Sequence, residues 1–596
     1  MKIPHQTQHQ TPKPYENERP TAYADRIGRW YAALVSQRHK KGLGQYLTPV
    51  EIATFMARLC NQVNHSPLHR PLRVLDPGAG AGILSCALCE VLAERRIKQE
   101  GPEEQGKPEE GPEGPLVPQG IDLEVWEMDA ELAIHLAACL SYAKEWLQAS
   151  GSEITLTFTI NTDDFVLAYA ETLDNSLKLF PGRSGETERF DLVISNPPYF
   201  KVAKSDPRAQ AATAVVHGQP NIYAFFMAIS ASLLKRGGRF VFITPRSYAA
   251  GPYFQLFRKR FFAIMQPEAI HLFGSRQDAF NRDDILQENI ILVARRSDGW
   301  SNRPGREKKT VEAETGTVET VTVEEETVEV SSSAGIRDLS TIDLSMPIKR
   351  TVPLSDILDL TSKDKVLRIP VAENDDHTDR LVRSWRGNLH TYGLEISTGP
   401  VVPFRATSLL SREGNVPKAH APLLWMQNVT AMKVEWPTEA RGKEQYIAIN
   451  AAASRSLLVV DKNYVLLRRF SAKEQHRRLI AAPLLAHRMG SPLIGLENHL
   501  NYIHRPGGSL TQEEAYGLAI LLNSALLDTF FRTYNGNTQV SATELRAMPL
   551  PPLDVIIELG RRAMTLSNPV ERIDSLIEDT LNIGTKTVTV DKVAHG

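Results

Sequence analysis

Through the first half of the chain, short apolar runs of strand length alternate with stretches whose apolar residues recur at helical spacing. The runs cover residues 72–76, 121–126, 154–160, 190–195, 239–244, 269–273 and 289–294. Helical patterns lie between them over residues 83–97, from Asp129 to about Leu147, through Tyr223, Phe226, Met227, Ile229 and Leu233, and over 252–264. Such alternation predicts an α/β domain with a mostly parallel, doubly wound sheet. Ahead of it, Ile27, Trp30, Tyr31, Leu34 and Val35 share one helical face, and Gly42 and Gly44 stop that helix. Thr48 then stands as cap for a helix that Pro49 opens and that continues through Ile52, Phe55, Met56 and Leu59.

The pattern changes elsewhere. Residues 98–119 are a Pro/Gly/Glu insertion with no means of forming a core, and residues 1–20 read as a disordered tail. Residues 297–336 repeat Thr, Val and Glu; the alternation suits a strand, but the acid content favours an acidic linker. A second domain follows over 337–585, mixing short strand-like runs with helices, notably across 513–534. A length of 596 residues agrees with more than one domain.

Composition sharpens this outline at three points. The chain has no apolar run of about 18 residues and no apolar core of a signal peptide near its start, so no membrane span and a cytoplasmic address are expected. Cys86 and Cys89 form a C-x-x-C inside an Ala/Leu-rich helical pattern with no second pair nearby, which reads as two core thiols. The net charge of −2 hides an asymmetry: residues 100–114 carry −5 and residues 311–330 carry −7, so the remainder carries +10. Residues 380–490 hold seventeen Lys/Arg against seven Asp/Glu, a surplus suited to a polyanion.

Two stretches carry candidate chemistry. Asp76-Pro-Gly78-Ala-Gly80-Ala-Gly82 joins the first strand to a helix, where glycines let backbone approach a ligand at the helix N-terminus. No Gly-Lys-Ser/Thr follows, which disfavours a phosphate-cradling loop. Glu127 ends the second strand, and once the insertion is discounted it has the spacing of an acid that holds a ribose. A loop of this kind serves NAD or S-adenosylmethionine. The other stretch is Asn196-Pro197-Pro198-Tyr199, where proline must end the fourth strand and present Asn196 at its C-terminal edge.

In their order, Gly44-Gln-Tyr-Leu-Thr48-Pro49, the glycine loop and Asn196–Tyr199 resemble the gamma-class S-adenosylmethionine-dependent DNA adenine-N6 methyltransferases, the TaqI-type methylases of type II restriction–modification. The resemblance implies a class I methyltransferase fold over residues 21–296, Rossmann-like with a doubly wound seven-stranded sheet. A mixed α+β target-recognition domain would follow at 337–585. It implies that Asn196, Pro197, Pro198 and Tyr199 are catalytic, and that Tyr199 and Phe280 stack on the target base. Cofactor contacts fall to Thr48, Pro49, Asp76, Gly78, Gly80, Glu127, Asp164 and Phe165, with Asp163 competing with Asp164 and Asp129 standing as a helix cap after Glu127. S-adenosyl-L-methionine is the implied cofactor and no metal is called for. The implied partners are double-stranded DNA and a separate cognate restriction endonuclease, with the protein itself a monomer.

The chemistry agrees. An exocyclic adenine amine is a poor nucleophile because its lone pair is delocalised into the ring. Two fixed acceptors aimed at its N–H bonds, the Asn196 amide oxygen and the Pro197 carbonyl, favour the tetrahedral nitrogen that can attack. A base inside a duplex must be flipped out to reach them. The same motif also serves RNA adenine and protein glutamine, and a catalytically idle scaffold would keep the fold; cytosine N4 stays open as well. No acid pair with a following lysine marks a fused nuclease.

Overall fold

All seven apolar runs form strands: β1 (Leu72–Pro77), β2 (Gly120–Trp126), β3 (Thr155–Asn161), β4 (Phe190–Ser195), β5 (Leu234–Pro245), β6 (Met265–Phe273) and β7 (Asn289–Arg296). They come from a computed structural model that describes residues 9–583 except 37, 40, 41, 43, 45, 46, 61–69, 101–117, 176–189, 216–219, 274–288, 303–308, 313–317, 322–325, 334–348, 361, 363, 371, 372, 439–442, 451, 472–474 and 536–538. Two compact units result, Met1–Val371 and Ala372–Gly596.

Two further strands, β8 (Thr327–Ser333) and β9 (Arg350–Pro353), complete one nine-stranded sheet in the order β9-β8-β6-β7-β5-β4-β1-β2-β3. β1 pairs in parallel with β2 on one side and β4 on the other, and β7 runs antiparallel between β5 and β6. Chain order reverses direction between β1 and β4. The sheet therefore has its switch point there.

Helices cover both faces. α1 (Pro20–Leu34), α2 (Val50–Cys60), α3 (Ile83–Glu100) and α4 (Ala130–Ala149) pack with Val74, Leu192, Ile194, Val241 and Ile243. The alternate strand residues Leu75, Val193, Phe240 and Phe242 face the other way. There they meet α7 (Ile222–Leu233) and α8 (Gln255–Ile264); the short helices α5 (Phe165–Tyr169) and α6 (Pro207–Ala211) precede these. This period-2 division explains why central β4, buried at every position, reads as an unbroken apolar run. Cys86 and Cys89 are buried on α3 within the first cluster.

Three expectations need correction. The sheet has nine strands rather than seven, and the two extra ones come from residues assigned to the linker and the second domain. Val328, Val330 and Val352 are buried while Glu329 turns outward to Lys349 at 2.8 Å, so an acid-rich segment can still be a strand with one apolar face. Residues 9–19, expected as a loose tail, lie along the first unit. Tyr23 donates to the Pro12 carbonyl at 2.8 Å, and Thr11 bonds His135 at 2.7 Å.

The second unit is mixed α+β. It holds an antiparallel sheet of Glu395–Thr398, Leu500–His504, Tyr464–Arg468 and Ala481–Leu484 beside a five-stranded one. The helical stretch expected at 513–534 is two helices, Gln512–Leu522 and Ala525–Tyr534, broken where Ser524 caps the second. No helix among the described residues is long and apolar enough to cross a membrane.

Candidate active site

Ser195 Oγ donates to the Pro77 carbonyl at 2.6 Å and ties the C-terminal ends of β4 and β1 together. The glycine loop is thereby set beside Asn196, at the switch point where open α/β sheets bind ligands. The amides of Gly78 and Ala79 both donate to the Trp126 carbonyl at 2.9 Å, which folds the loop over the end of β2. Gly78, Gly80 and Gly82 all have left-handed backbone, at φ +78°, +58° and +84°. Their surroundings differ. A Cβ on Gly80 would meet nothing within 4 Å, whereas one on Gly82 would sit 2.6 Å from Leu136 Cδ1. Gly80 leaves room for a ligand and Gly82 for the packing of α4. Asp76 is fully buried beneath the loop, accepts from Ser85 Oγ at 2.6 Å, and burial pushes its carboxyl up to about 7.

Glu127 braces the same loop. Its Oε2 accepts from the Gly80 amide at 3.0 Å and its Oε1 from the Asp129 amide at 2.9 Å. Burial raises its pKa to about 7, and each oxygen keeps a lone pair for another donor. Asp129 is the N-cap of α4, and its other oxygen holds Tyr31 Oη at 2.7 Å and His39 Nε2 at 2.8 Å. Asp164 caps α5 through the amides of Val166 and Leu167, and both Asp163 and Asp164 line the cleft. Phe165 is buried against Trp126 and Phe226, with ring centroids 5.6 and 5.0 Å apart.

Asn196 is held at its amide. Nδ2 donates to Thr48 Oγ1 at 2.9 Å, and the Tyr199 hydroxyl meets Oδ1 and also the Ile243 carbonyl, the latter at 3.0 Å. Tyr199 is buried, edge-on to Tyr223, and is not among the residues lining the cleft. The ring expected to stack on the base is thus tucked beneath the Asn196 amide. Phe280 lies outside the described residues.

One cleft brings together Gly78, Gly80, Glu127, Asp164, Phe165, Asn196 and Pro198. An adjoining cavity is lined by Thr48, Asp25, Gly78, Gly80 and Asn196. Asp76, Pro49, Pro197 and Tyr199 line neither. Sequence reasoning missed Gly28 and Tyr31 of α1, and also Arg208, which holds Asp206 at 2.7 Å and lies 3.8 Å from Asp164. Gly28 carried a signal: a glycine inside a helical pattern costs about 1 kcal/mol and marks a close approach. A Cβ there would press Leu47 Cδ2 at 3.1 Å. Among the described residues no group of His, Cys, Asp and Glu is arranged to hold a metal.

A parallel sheet switched at β1/β4, an antiparallel β7, a glycine loop after β1 and an acid after β2 define a class I methyltransferase fold. The family model of the Eco57I restriction-modification methylases matches residues 131–280. The chain is 30% identical over 556 residues to the type II methyltransferase M.BsuBI of Bacillus subtilis, covering 91% of this chain and 95% of that one. It is 28% identical over 541 residues to the type II methyltransferase M.PstI of Providencia stuartii, covering 91% and 93%. The chain belongs to the type II methyltransferases of restriction–modification. In fold it is similar to the type IIL restriction-modification enzyme MmeI solved in complex with DNA, with a TM-score of 0.53 at 12% identity over 95% of this chain and 80% of that one.

Proposed function

We propose that the protein transfers the methyl group of S-adenosyl-L-methionine to the N6 amine of an adenine flipped out of a specific duplex sequence, as the modification arm of a restriction–modification system. The observation that carries this is the Asn196 amide at the end of β4, whose nitrogen is committed to Thr48 at 2.9 Å. With the nitrogen so committed, Oδ1, which also takes the Tyr199 hydroxyl, is the amide's acceptor for an incoming amine. An acceptor fixed before reaction stabilises the developing charge without reorganisation. Pro197, its carbonyl set by two consecutive prolines, is the second acceptor. Tyr199 braces the amide oxygen from beneath, and by the resemblance the stacking surface for the extruded base falls to Phe280.

The cleft fits the cofactor. Gly80 offers open space beside backbone, and Glu127 has lone pairs facing it for ribose hydroxyls. Asp164 and Phe165 offer a carboxylate and an aromatic ring for an adenine, while buried Asp25 lines the cavity on the Thr48 side and suits an ammonium. When bound, the sulfonium supplies an electrophilic methyl carbon and a neutral thioether as leaving group. The second unit, with the basic surplus of residues 380–490, is read as the target-recognition domain that binds duplex DNA. A cognate endonuclease acting as a separate chain, and a monomeric methyltransferase, complete the reading.

The test is transfer of a tritiated methyl group from the cofactor to duplex DNA, with the product base identified after digestion. N6-methyladenine is expected, and Asn196→Ala should abolish transfer while cofactor binding persists. Label recovered as N4-methylcytosine, or on RNA or protein in preference to DNA, refutes the assignment.

A further inference from the structure

The second unit carries a pocket that methyl transfer itself does not use. Strands His420–Leu424 and Leu493–Leu496 run parallel, with Leu424 opposite Leu496. The next residues, Trp425 and Glu497, therefore emerge side by side at the C-terminal edge of the pair. Backbone bonds pin the frame: the Glu497 amide donates to the Leu424 carbonyl, and the Asn498 amide to the Val401 carbonyl, both at 2.9 Å. The cavity is about 410 Å³, and its lining includes Phe404, Trp425, Lys443, Glu497 and His499.

Its walls are chemically mixed. Phe404 is 77% exposed, with the Arg405 guanidinium 5.3 Å from its ring. Lys443 rests its ammonium 4.2 Å from the Trp425 ring centroid, so a flexible cation is held at the wall. Glu497 is 1% exposed, and His499 Nδ1 lies 2.6 Å from its carboxylate. That contact fixes the half-exposed imidazole, and by ring geometry Nε2 points away from the acid. His499 is further steadied edge-on against Phe470 at 5.0 Å.

We propose that this pocket reads the edge of one base pair of the target duplex, with Lys443 and His499 making polar contacts and Phe404 packing on the adjoining base. The proposal rests on the reading of the second unit as the DNA-contacting half. Base edge is favoured over phosphate by two of the walls. A buried carboxylate repels a phosphate but tolerates a base edge, which carries amine donors beside its acceptors. An exposed aromatic ring has nothing to do at a phosphate, whereas it gains contact area against a base or a thymine methyl. Glu497 is a positioning residue here, acting through His499.

The experiment uses the full-length protein and the variants Phe404→Ala, Lys443→Met, His499→Ala and Glu497→Gln. Each methylates the same unmodified genomic DNA, and the modified sites are mapped by single-molecule sequencing. The wild type should mark one defined sequence. Phe404→Ala, Lys443→Met and His499→Ala should lose discrimination by about 5- to 150-fold at one position, or at two adjacent ones, and keep it elsewhere. Glu497→Gln should relax the same position as His499→Ala, an effect that a merely structural role would not confine to one base pair. An unchanged site logo, or a uniform fall in methylation at every site, overturns the pocket assignment. A wild type that marks no DNA sinks the reading of the second unit instead, before any variant is compared.

Discussion

Thr48→Val tests how the active amide is aimed. The substitution keeps shape at a buried position and removes the hydroxyl that accepts from Asn196 Nδ2 at 2.9 Å. A hydrogen bond of this kind contributes about 0.5–1.5 kcal/mol net, and its loss also lets the amide invert and present its NH2 group where an acceptor is required. The expected effect on the rate of methyl transfer at saturating cofactor is therefore a fall of about 2- to 13-fold. Cofactor affinity should stay within about twofold, because the hydroxyl's bonding partner is Asn196. Single-turnover transfer to a duplex containing the target measures the rate, and calorimetry measures the affinity. Thr48→Ser, which keeps an oxygen at the same place, should recover most of the loss. A variant whose cofactor affinity drops while its saturated rate holds would show that Thr48 serves the methionine end of the cofactor, and the aiming argument would be wrong.

The other expectations concern pH, backbone and domain boundary. Burial puts the Glu127 pKa at about 7, and only the ionised acid can accept from two ribose hydroxyls. Cofactor affinity should be flat above that pH and fall by about tenfold per unit as pH drops through it; titration calorimetry on wild type and on Glu127→Gln, expected to be weak but pH-independent, checks the sign. Gly82→Ala combines a left-handed φ of +84° with a 2.6 Å approach to Leu136. It should cost about 2–4 kcal/mol in denaturant unfolding. Gly80→Ala, with no such neighbour, should cost about 1–2 kcal/mol and weaken the cofactor, since its Cβ enters the cleft. Finally, a fragment ending at Val371 should melt cooperatively and bind cofactor. One ending at residue 325 strips β8 from β6, and β9 with it, and should melt lower or aggregate through the exposed edge; equal melting of the two would show that these strands are accessory.

The parts of this fold that were legible in the sequence are those encoded by neighbours. β4 announces itself because six buried residues are followed by Asn196 and then two prolines. Glu127 is legible because strand–turn–helix geometry fixes its distance from the glycine loop once the insertion is discounted. The bond between Thr48 and Asn196 spans 148 residues, and no local pattern states it. The same holds for Tyr31, which reaches Asp129 across 98 residues to pin α1 over the cleft. β8 is concealed for another reason: its composition is acidic, and only its alternation of Val, buried on one face, marks it as a strand.

Charge counting overstates the basic surface of the second unit, and Arg468, Arg477 and Arg478 show why. Arg478 is in fact 1% exposed and donates to the Asn535 carbonyl at 2.7 Å, Arg468 donates to the Val429 carbonyl at 2.6 Å, and Arg477 pairs with Asp574 at 2.6 Å. An arginine reports its charge in the sequence, but five donors in a rigid fork make it equally apt to satisfy buried carbonyls. The basic surplus of residues 380–490 therefore overstates what a polyanion can meet. The exposed or half-exposed basic side chains of this stretch include Arg380, Arg386, Arg405, Arg412, Lys418, Lys443, Arg455 and Arg488. Two of them, Arg405 and Lys443, flank Phe404 and the Glu497–His499 pair, so basic charge meets an exposed ring and a fixed imidazole at that pocket.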